Sequence, residues 1–177
     1  MGHLEYYESW YIEMTKPMHL LKDVIATQYF AVLNSLGEGQ PYSNLVSFAI
    51  TDDLKSLIFV TNRNTRKYRN IKENNNIALL IDNRTNQPSD VAQAIAITVI
   101  GTAREELDNR SSLQAIFLTR HPHLQQFVDD PNNALILVNV REYIIAGFDK
   151  TQRLVIPQQL SKSQNDMVNY IEEGHTN

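Results

Sequence analysis

Apolar positions along this chain change rhythm from helical to alternating, and the changes mark out its elements. Leu20, Leu21, Val24 and Ile25 share one helical face, which predicts a short helix over Met18–Thr27 that covers a sheet. Tyr29–Ser35 then reads as a strand, and the glycines and proline of Gly37-Glu-Gly-Gln-Pro41 favour a hairpin turn. Tyr42–Ile50 is the second strand, Thr51–Lys55 the next turn, and Ser56–Thr61 the third strand, so three strands are expected to form an antiparallel meander. A helix over residues 64–74 follows, then a short apolar strand at Ile77–Ile81 and a polar loop, Asn83–Asp90. Val91–Arg104 reads as one long bent strand with Gly101 at a bulge. Leu113, Ile116, Phe117 and Leu118 predict a helix over Asn109–Arg120, capped by Asn109 or Ser111 and ended by His121-Pro122. After a further helical turn at His123–Val128 and a break at Asp129-Asp-Pro131, Ala134–Val140 and Tyr143–Phe148 read as two strands, and Lys150–Ile156 as an extension.

Strands joined by short turns, with helices inserted singly, predict a mainly β fold: a six- to seven-stranded antiparallel barrel with added helices, not a doubly wound parallel sheet. The expected organisation is an N-terminal extension (1–17), one barrel domain (18–156) and a polar tail (157–177), in which Met167, Tyr170 and Ile171 could dock as a short helix.

The most informative stretch is Leu57–Ile71, where an apolar strand empties into Arg63, Arg66, Lys67 and Arg69. Asn64 or Thr65 can cap the helix that begins there. Basic residues in a first helical turn face the positive end of the helix dipole, so Arg66 and Lys67 are misplaced unless an anion offsets them. Free N–H groups, a capping hydroxyl, a guanidinium and an ammonium would together clamp a phosphate. The competing reading is an ordinary solvated charged face. Position at a strand-to-helix junction favours a ligand site.

Composition narrows the choices. With 42% hydrophobic and 20% charged residues the chain is globular, and no apolar run approaches the roughly 20 residues of a membrane span. Met1–Trp10 is polar and acidic, unlike a signal peptide, so a soluble cytoplasmic protein is expected. The absence of cysteine removes disulfides, thiolate metal sites and thiolate nucleophiles. A net charge of −4 argues against general nucleic-acid binding and fits one local anion site better.

Other polar groups read as structural. His121 and His123, spaced i, i+2 around Pro122, do not share a helical face and mark a helix end; His19 and His175 read as surface and tail residues, and no metal site is expected. Asp52-Asp53 and Asp129-Asp130 sit in predicted turns, and no Gly-x-Ser-x-Gly element is present. Tyr6, Tyr7, Trp10 and Tyr11 form an aromatic cluster among Glu5, Glu8 and Glu13, read as packing or dimer contact.

Phe30-Ala-Val-Leu33 with Gly39-Gln-Pro-Tyr-Ser-Asn-Leu-Val-Ser-Phe48, then Phe59-Val-Thr-Asn62 with Thr65-Arg-Lys67, and Asn74-Asn-Asn-Ile-Ala-Leu-Leu80, occur in an order that resembles the FMN-binding split-barrel superfamily, which includes the pyridoxamine 5′-phosphate oxidases. The resemblance spans roughly residues 18–150. It implies an FMN whose phosphate is held by Arg66 and Lys67 with the hydroxyl of Thr65, and whose ring or ribityl chain lies against Thr61, Asn62, Ser43, Asn44, Leu45 and Val46. It also implies a homodimer with the flavin at the subunit interface, a small-molecule substrate, and no nucleic-acid or membrane partner. Catalytic residues are not assigned, because in such proteins the flavin ring performs the electron transfer.

Two features modify these implications. Arg120-His-Pro122 and Ala146-Gly-Phe148 resemble the haem-handling branch of the superfamily, so haem, or a deazaflavin, is the alternative cofactor, and a non-catalytic flavin sensor or haem-binding protein the alternative function. The Arg-x-His element of true pyridoxamine phosphate oxidases is absent, and Arg153-Leu-Val-Ile-Pro157 only loosely echoes their ending, so pyridoxal phosphate synthesis is not expected.

Overall fold

The computed structural model describes residues 17–148 and 150–156. The N-terminal aromatic cluster, the Met167–Ile171 segment and His175 lie outside them.

Helix α1 (residues 17–27) buries Leu21, Val24 and Ile25 in the barrel core, as its spacing predicts. Strands β1 (Phe30–Gly37) and β2 (Gln40–Ser47) form a hairpin whose turn residues, Glu38 and Gly39, both have positive φ (54° and 72°). Strands β3 (Ala49–Ile50) and β4 (Ser56–Asn62) form a second hairpin, followed by α2 (Arg66–Glu73) and β5 (Asn76–Asp82). After α3 (Asp90–Gln93) come β6 (Ala96–Glu105), α4 (Arg110–Arg120), a 3₁₀ turn (Pro122–Leu124), α5 (Gln125–Asp129), β7 (Asn133–Ala146) and β8 (Thr151–Val155).

All the strands pair antiparallel, in the order β2-β1-β5-β6-β7-β4-β3, with β8 on β7. The two ends of that path, β2 and β3, are consecutive in the chain and separated only by Phe48. The sheet therefore curls until its edges meet at one residue, giving the mainly β antiparallel split barrel that the sequence predicts.

Three local expectations need correction. The Tyr42–Ile50 run is not one strand in a three-strand meander. Phe48 and Ala49 are both buried, which breaks the period-two alternation, and the chain changes partner there from β1 to β4. Ala134–Val140 and Tyr143–Phe148 are one strand, β7: Arg141 is an extra residue between the Gly101–Val140 and Ile100–Glu142 pairs, a bulge that bends the strand without ending it. Gly101 is required opposite that bulge, since an added Cβ would lie 2.4 Å from the Asn139 carbonyl oxygen. Finally, the predicted strand at Val91–Arg104 begins only at Ala96, because the Asp90 carboxylate accepts from the N–H groups of Thr85 and Gln87 (2.8 and 3.2 Å) and winds residues 90–93 into a helical turn.

β7 reads as a continuous apolar run because both its faces are covered. Ala134, Ile136 and Val138 point into the barrel core; Leu135 and Leu137 join Ile58, Val60, Phe117 and Val128 in a second core beneath α4 and α5. Helix α4 starts without the side-chain cap expected from Asn109 or Ser111. Glu106 Oε1 accepts from the N–H groups of Asp108 and Asn109 instead, both at 3.2 Å.

Arg120 and His121 pin the barrel's closing corner. The Arg120 guanidinium donates to the carbonyls of Ile25 (2.6 Å), Ala26 (3.3 Å) and Gln28 at the end of α1, and lies over the Tyr29 and Phe48 rings. His121 Nε2 hydrogen-bonds the Phe48 carbonyl at 2.8 Å. Burial pushes the His121 pKa down, aided by the neighbouring Arg120 and His123 and opposed by the Phe48 bond. The folded state thus binds fewer protons than the unfolded state, and stability should fall as pH drops below about 6.5, the ordinary histidine value. His121→Gln keeps an N–H donor but cannot titrate. Denaturant melts at pH 7.5 and 5.5 should show a smaller acid loss for this variant than for the native chain; equal losses would place the titration elsewhere.

Candidate functional site

The end of β4 and the start of α2 form one hydrogen-bonded unit. The Asn62 side chain accepts from the Asn64 N–H (2.9 Å) and donates to Asn133 Oδ1 (2.9 Å), which fixes the turn. Thr65 caps α2: its hydroxyl donates to the Asn62 carbonyl (2.7 Å) and accepts from the Tyr68 N–H (3.4 Å). Thr61, almost fully buried, bonds Thr65 hydroxyl to hydroxyl at 3.2 Å. Thr61, Asn62 and Thr65 therefore build the junction; the Thr65 hydroxyl already donates within the protein.

The four cations of this stretch separate into two pairs. Arg63 is taken up by Glu105, with Nε at 3.1 Å from Oε1 and a second nitrogen on the same oxygen, and it also donates to the Pro131 carbonyl. Tyr68 adds a phenol bond to the other Glu105 oxygen at 2.6 Å. Arg69 donates to the Asn64 carbonyl at 3.0 Å. Among the described residues no carboxylate pairs with Arg66 or Lys67. Both occupy the first turn of α2, which holds no acidic residue, and their own N–H groups are the two that a helix start leaves without intrahelical partners once Thr65 serves Tyr68. Burial alone lowers the Lys67 pKa, the signature of an ammonium partly withdrawn from water without a counter-ion. Arg66 is exposed, and its guanidinium carbon rests 4.6 Å from the centroid of the Tyr42 ring.

Helix α2 is held against the first hairpin by Asn70, which is buried and donates to Ser35 Oγ at 3.1 Å. Gly37 makes room for it, since a Cβ there would lie 2.1 Å from Asn70 Oδ1.

On β2 the four predicted residues fall on two faces, as strand alternation requires. Ser43 and Leu45 lie on the outer face, opposite Asn34 and Val32, and Ser43 donates to Asn34 Oδ1 at 2.7 Å. Leu45 is 63% exposed and lines an open depression with Phe30, Val32, Leu80 and the Asp82–Arg84 ion pair. Asn44 and Val46 share the inner face with Tyr42. Val46 belongs to the barrel core, whereas Asn44 Oδ1 is buried with no donor among the described residues.

Glu105 and Tyr68 escaped the sequence reading because Glu105 is 42 residues from Arg63 and 37 from Tyr68. Of the paired aspartates, Asp53 is a turn residue that accepts from Thr51 (2.6 Å) and the Lys55 N–H (3.0 Å), and Asp130 accepts from the Asn132 N–H (2.8 Å), whereas Asp129, expected in a turn, is the last residue of α5 and accepts from the Gln114 and Gln125 side chains. No group of three or more His, Cys, Asp or Glu able to hold a metal occurs among the described residues. None of their helices is long and apolar enough to cross a membrane.

A curled antiparallel sheet closed at one corner, with a cationic helix start beside its first hairpin, defines a split-barrel protein. The chain belongs to the pyridoxamine 5′-phosphate oxidase family, whose model matches residues 18–145. Its fold is similar to that of Campylobacter jejuni ChuZ (TM-score 0.68, 12% identity, covering 85% of this chain and 68% of that one). It is also similar to a haem-binding protein from Mycobacterium smegmatis (TM-score 0.67, 16% identity), covering 75% of this chain but only 55% of the mycobacterial one. General Stress Protein 26 from Bacillus anthracis str. Sterne shares 27% identity over 71% of this chain and 92% of its own, with a TM-score of 0.54. No curated protein matches the sequence.

Glu105 holds α2 in place through Arg63 and Tyr68. Burial works to raise its pKa, but the Arg63 and Tyr68 hydrogen bonds more than offset this and hold it below the usual carboxylate value. Its stabilising contribution is therefore present above about pH 4.3 and lost as pH falls through the folded value. Glu105→Ala should destabilise the protein by about 1–3 kcal/mol at pH 7 by leaving two donors unpaired. A thermal melt matching the native chain would show that the trio does not anchor α2.

Proposed function

We propose that this chain is a cytoplasmic FMN-binding flavoprotein that works as an oxidoreductase on a small molecule, as a homodimer with the flavin at the subunit interface. The observation that carries this reading is the separation of the cations: Arg63 and Arg69 have partners within the protein, while Arg66 and Lys67 have no carboxylate among the described residues and lie beside two N–H groups without intrahelical partners. A phosphate monoester dianion matches that set in charge and hydrogen-bonding capacity. Asn44 Oδ1, a buried acceptor without a donor among the described residues, suits a ribityl hydroxyl. The flavin would supply the electron transfer; the protein holds the phosphate, orients the ring and limits access of water.

The dimer reading is supported by the outer face of β1, β2 and β5, where Phe30 (54% exposed), Leu45, Val32 and Leu80 leave an apolar surface open to a second copy. A haem-binding role is the second reading, favoured by the fold shared with the mycobacterial haem-binding protein. The histidines give it less support, because the His121 imidazole is buried on the Phe48 carbonyl, while His19 and His123 are surface residues.

An absorbance spectrum of the purified protein, followed by titration with FMN and with haem, separates the two readings. FMN should bind far below millimolar concentration, and a Soret band without flavin affinity would favour haem. Arg66→Ala should raise the FMN dissociation constant about tenfold to a hundredfold by removing a charge-assisted hydrogen bond. An unchanged constant would move the phosphate away from α2.

A further inference from the structure

We propose that Tyr42 is a positioning residue for the anion site: its ring seats the Arg66 guanidinium before the anion arrives, and so makes the site selective for the phosphorylated form of its ligand. This rests on the flavin reading above but concerns a residue which that reading does not use.

An exposed arginine beside a lysine and two bare N–H groups is pushed outward by like charge, and holding it over the helix start costs side-chain entropy. The Tyr42 ring opposes both effects. Its face attracts the guanidinium across 4.6 Å and leaves the N–H edges free for oxygen atoms. Tyr42 can do this because its position relative to α2 is fixed. Ser35 lies directly across the hairpin from Tyr42 and donates its hydroxyl to the Tyr42 carbonyl at 3.4 Å, while accepting from Asn70 Nδ2 at 3.1 Å. Arg66 and Asn70 are four residues apart on α2 and so share a helix face. One side of α2 is thus registered on the hairpin at two points, Asn70 on Ser35 and Arg66 on Tyr42. The guanidinium is set in place before binding, which reduces the ordering cost that the phosphate must offset.

The phenol hydroxyl has no part in this arrangement, so Tyr42→Phe should behave as the native protein does, while Tyr42→Leu should bind FMN about two- to fivefold more weakly. Riboflavin, which has the same ring and ribityl chain but no phosphate, should bind both variants as it binds the native chain. In an Arg66→Ala background, Tyr42→Leu should cause no further loss of FMN affinity. Equal losses for FMN and riboflavin, or a full additional loss in the Arg66→Ala background, would overturn the proposal by showing that Tyr42 acts on something other than Arg66. One measurement needs no ligand: NMR of the free protein should show the Arg66 side-chain protons shifted upfield by the Tyr42 ring, and this shift should vanish in Tyr42→Leu. Its absence from the native spectrum would overturn the proposal whether or not FMN binds, whereas its presence without FMN affinity would overturn only the flavin reading. A folding defect would show as a lowered melting temperature in Tyr42→Leu, and Tyr42→Phe controls for it.

Discussion

Everything in this molecule depends on the corner at Phe48. Its ring is fully buried, its N–H donates to the Tyr29 carbonyl at 3.3 Å, and its own carbonyl is held by His121. Because β2 ends and β3 begins at that residue, one short segment supplies both edges of the sheet, and fixing the corner closes the barrel. Closure also sets the first hairpin beside the end of β4, where α2 can bridge them. The cationic β4–α2 junction is thus a consequence of how the barrel shuts.

At that junction the protein separates its charges by partner. Arg63 is neutralised by Glu105 and carries structure, tying the end of β4 to the end of β6 and, through Tyr68, to α2. Arg66 and Lys67 lie in the first turn of α2, against the helix dipole and without a carboxylate partner among the described residues. Such an arrangement is unfavourable in the free protein, and an anion of matching geometry would reverse the sign of each contribution.

Much of this was legible in residue order. The α2 cap, expected at Asn64 or Thr65 and formed by Thr65, the turn at Glu38-Gly39, the C-terminal end of α4 and the antiparallel barrel follow from local chemistry: a hydroxyl before a helical run, a glycine where φ is positive, a proline where a helix must stop. The errors arose where a local pattern had two tertiary meanings. The apolar run around Phe48 reads as an uninterrupted strand, but it is two strands of opposite edges. The polar Arg141-Glu142 pair falls between two expected strands, but Arg141 is a bulge in one strand covered on both faces. The nearby acidic Glu105, which decides which cations are free, lies too far along the chain to be linked to Arg63 by any periodic signal.

The sequence by itself determined that a cationic helix start follows the strand ending at Asn62, and that the surrounding strands are short, antiparallel and wrapped around an apolar core, because capping, alternation and charge are properties of neighbours in the chain. Only the tertiary structure decided which of the four cations lack a carboxylate or carbonyl partner among the described residues, which side chains of β2 face α2, and where Arg66 rests. Those depend on strand register and on carboxylates, carbonyls and an aromatic ring brought in from other parts of the chain, and a contact across the barrel leaves no periodic trace in the order of residues.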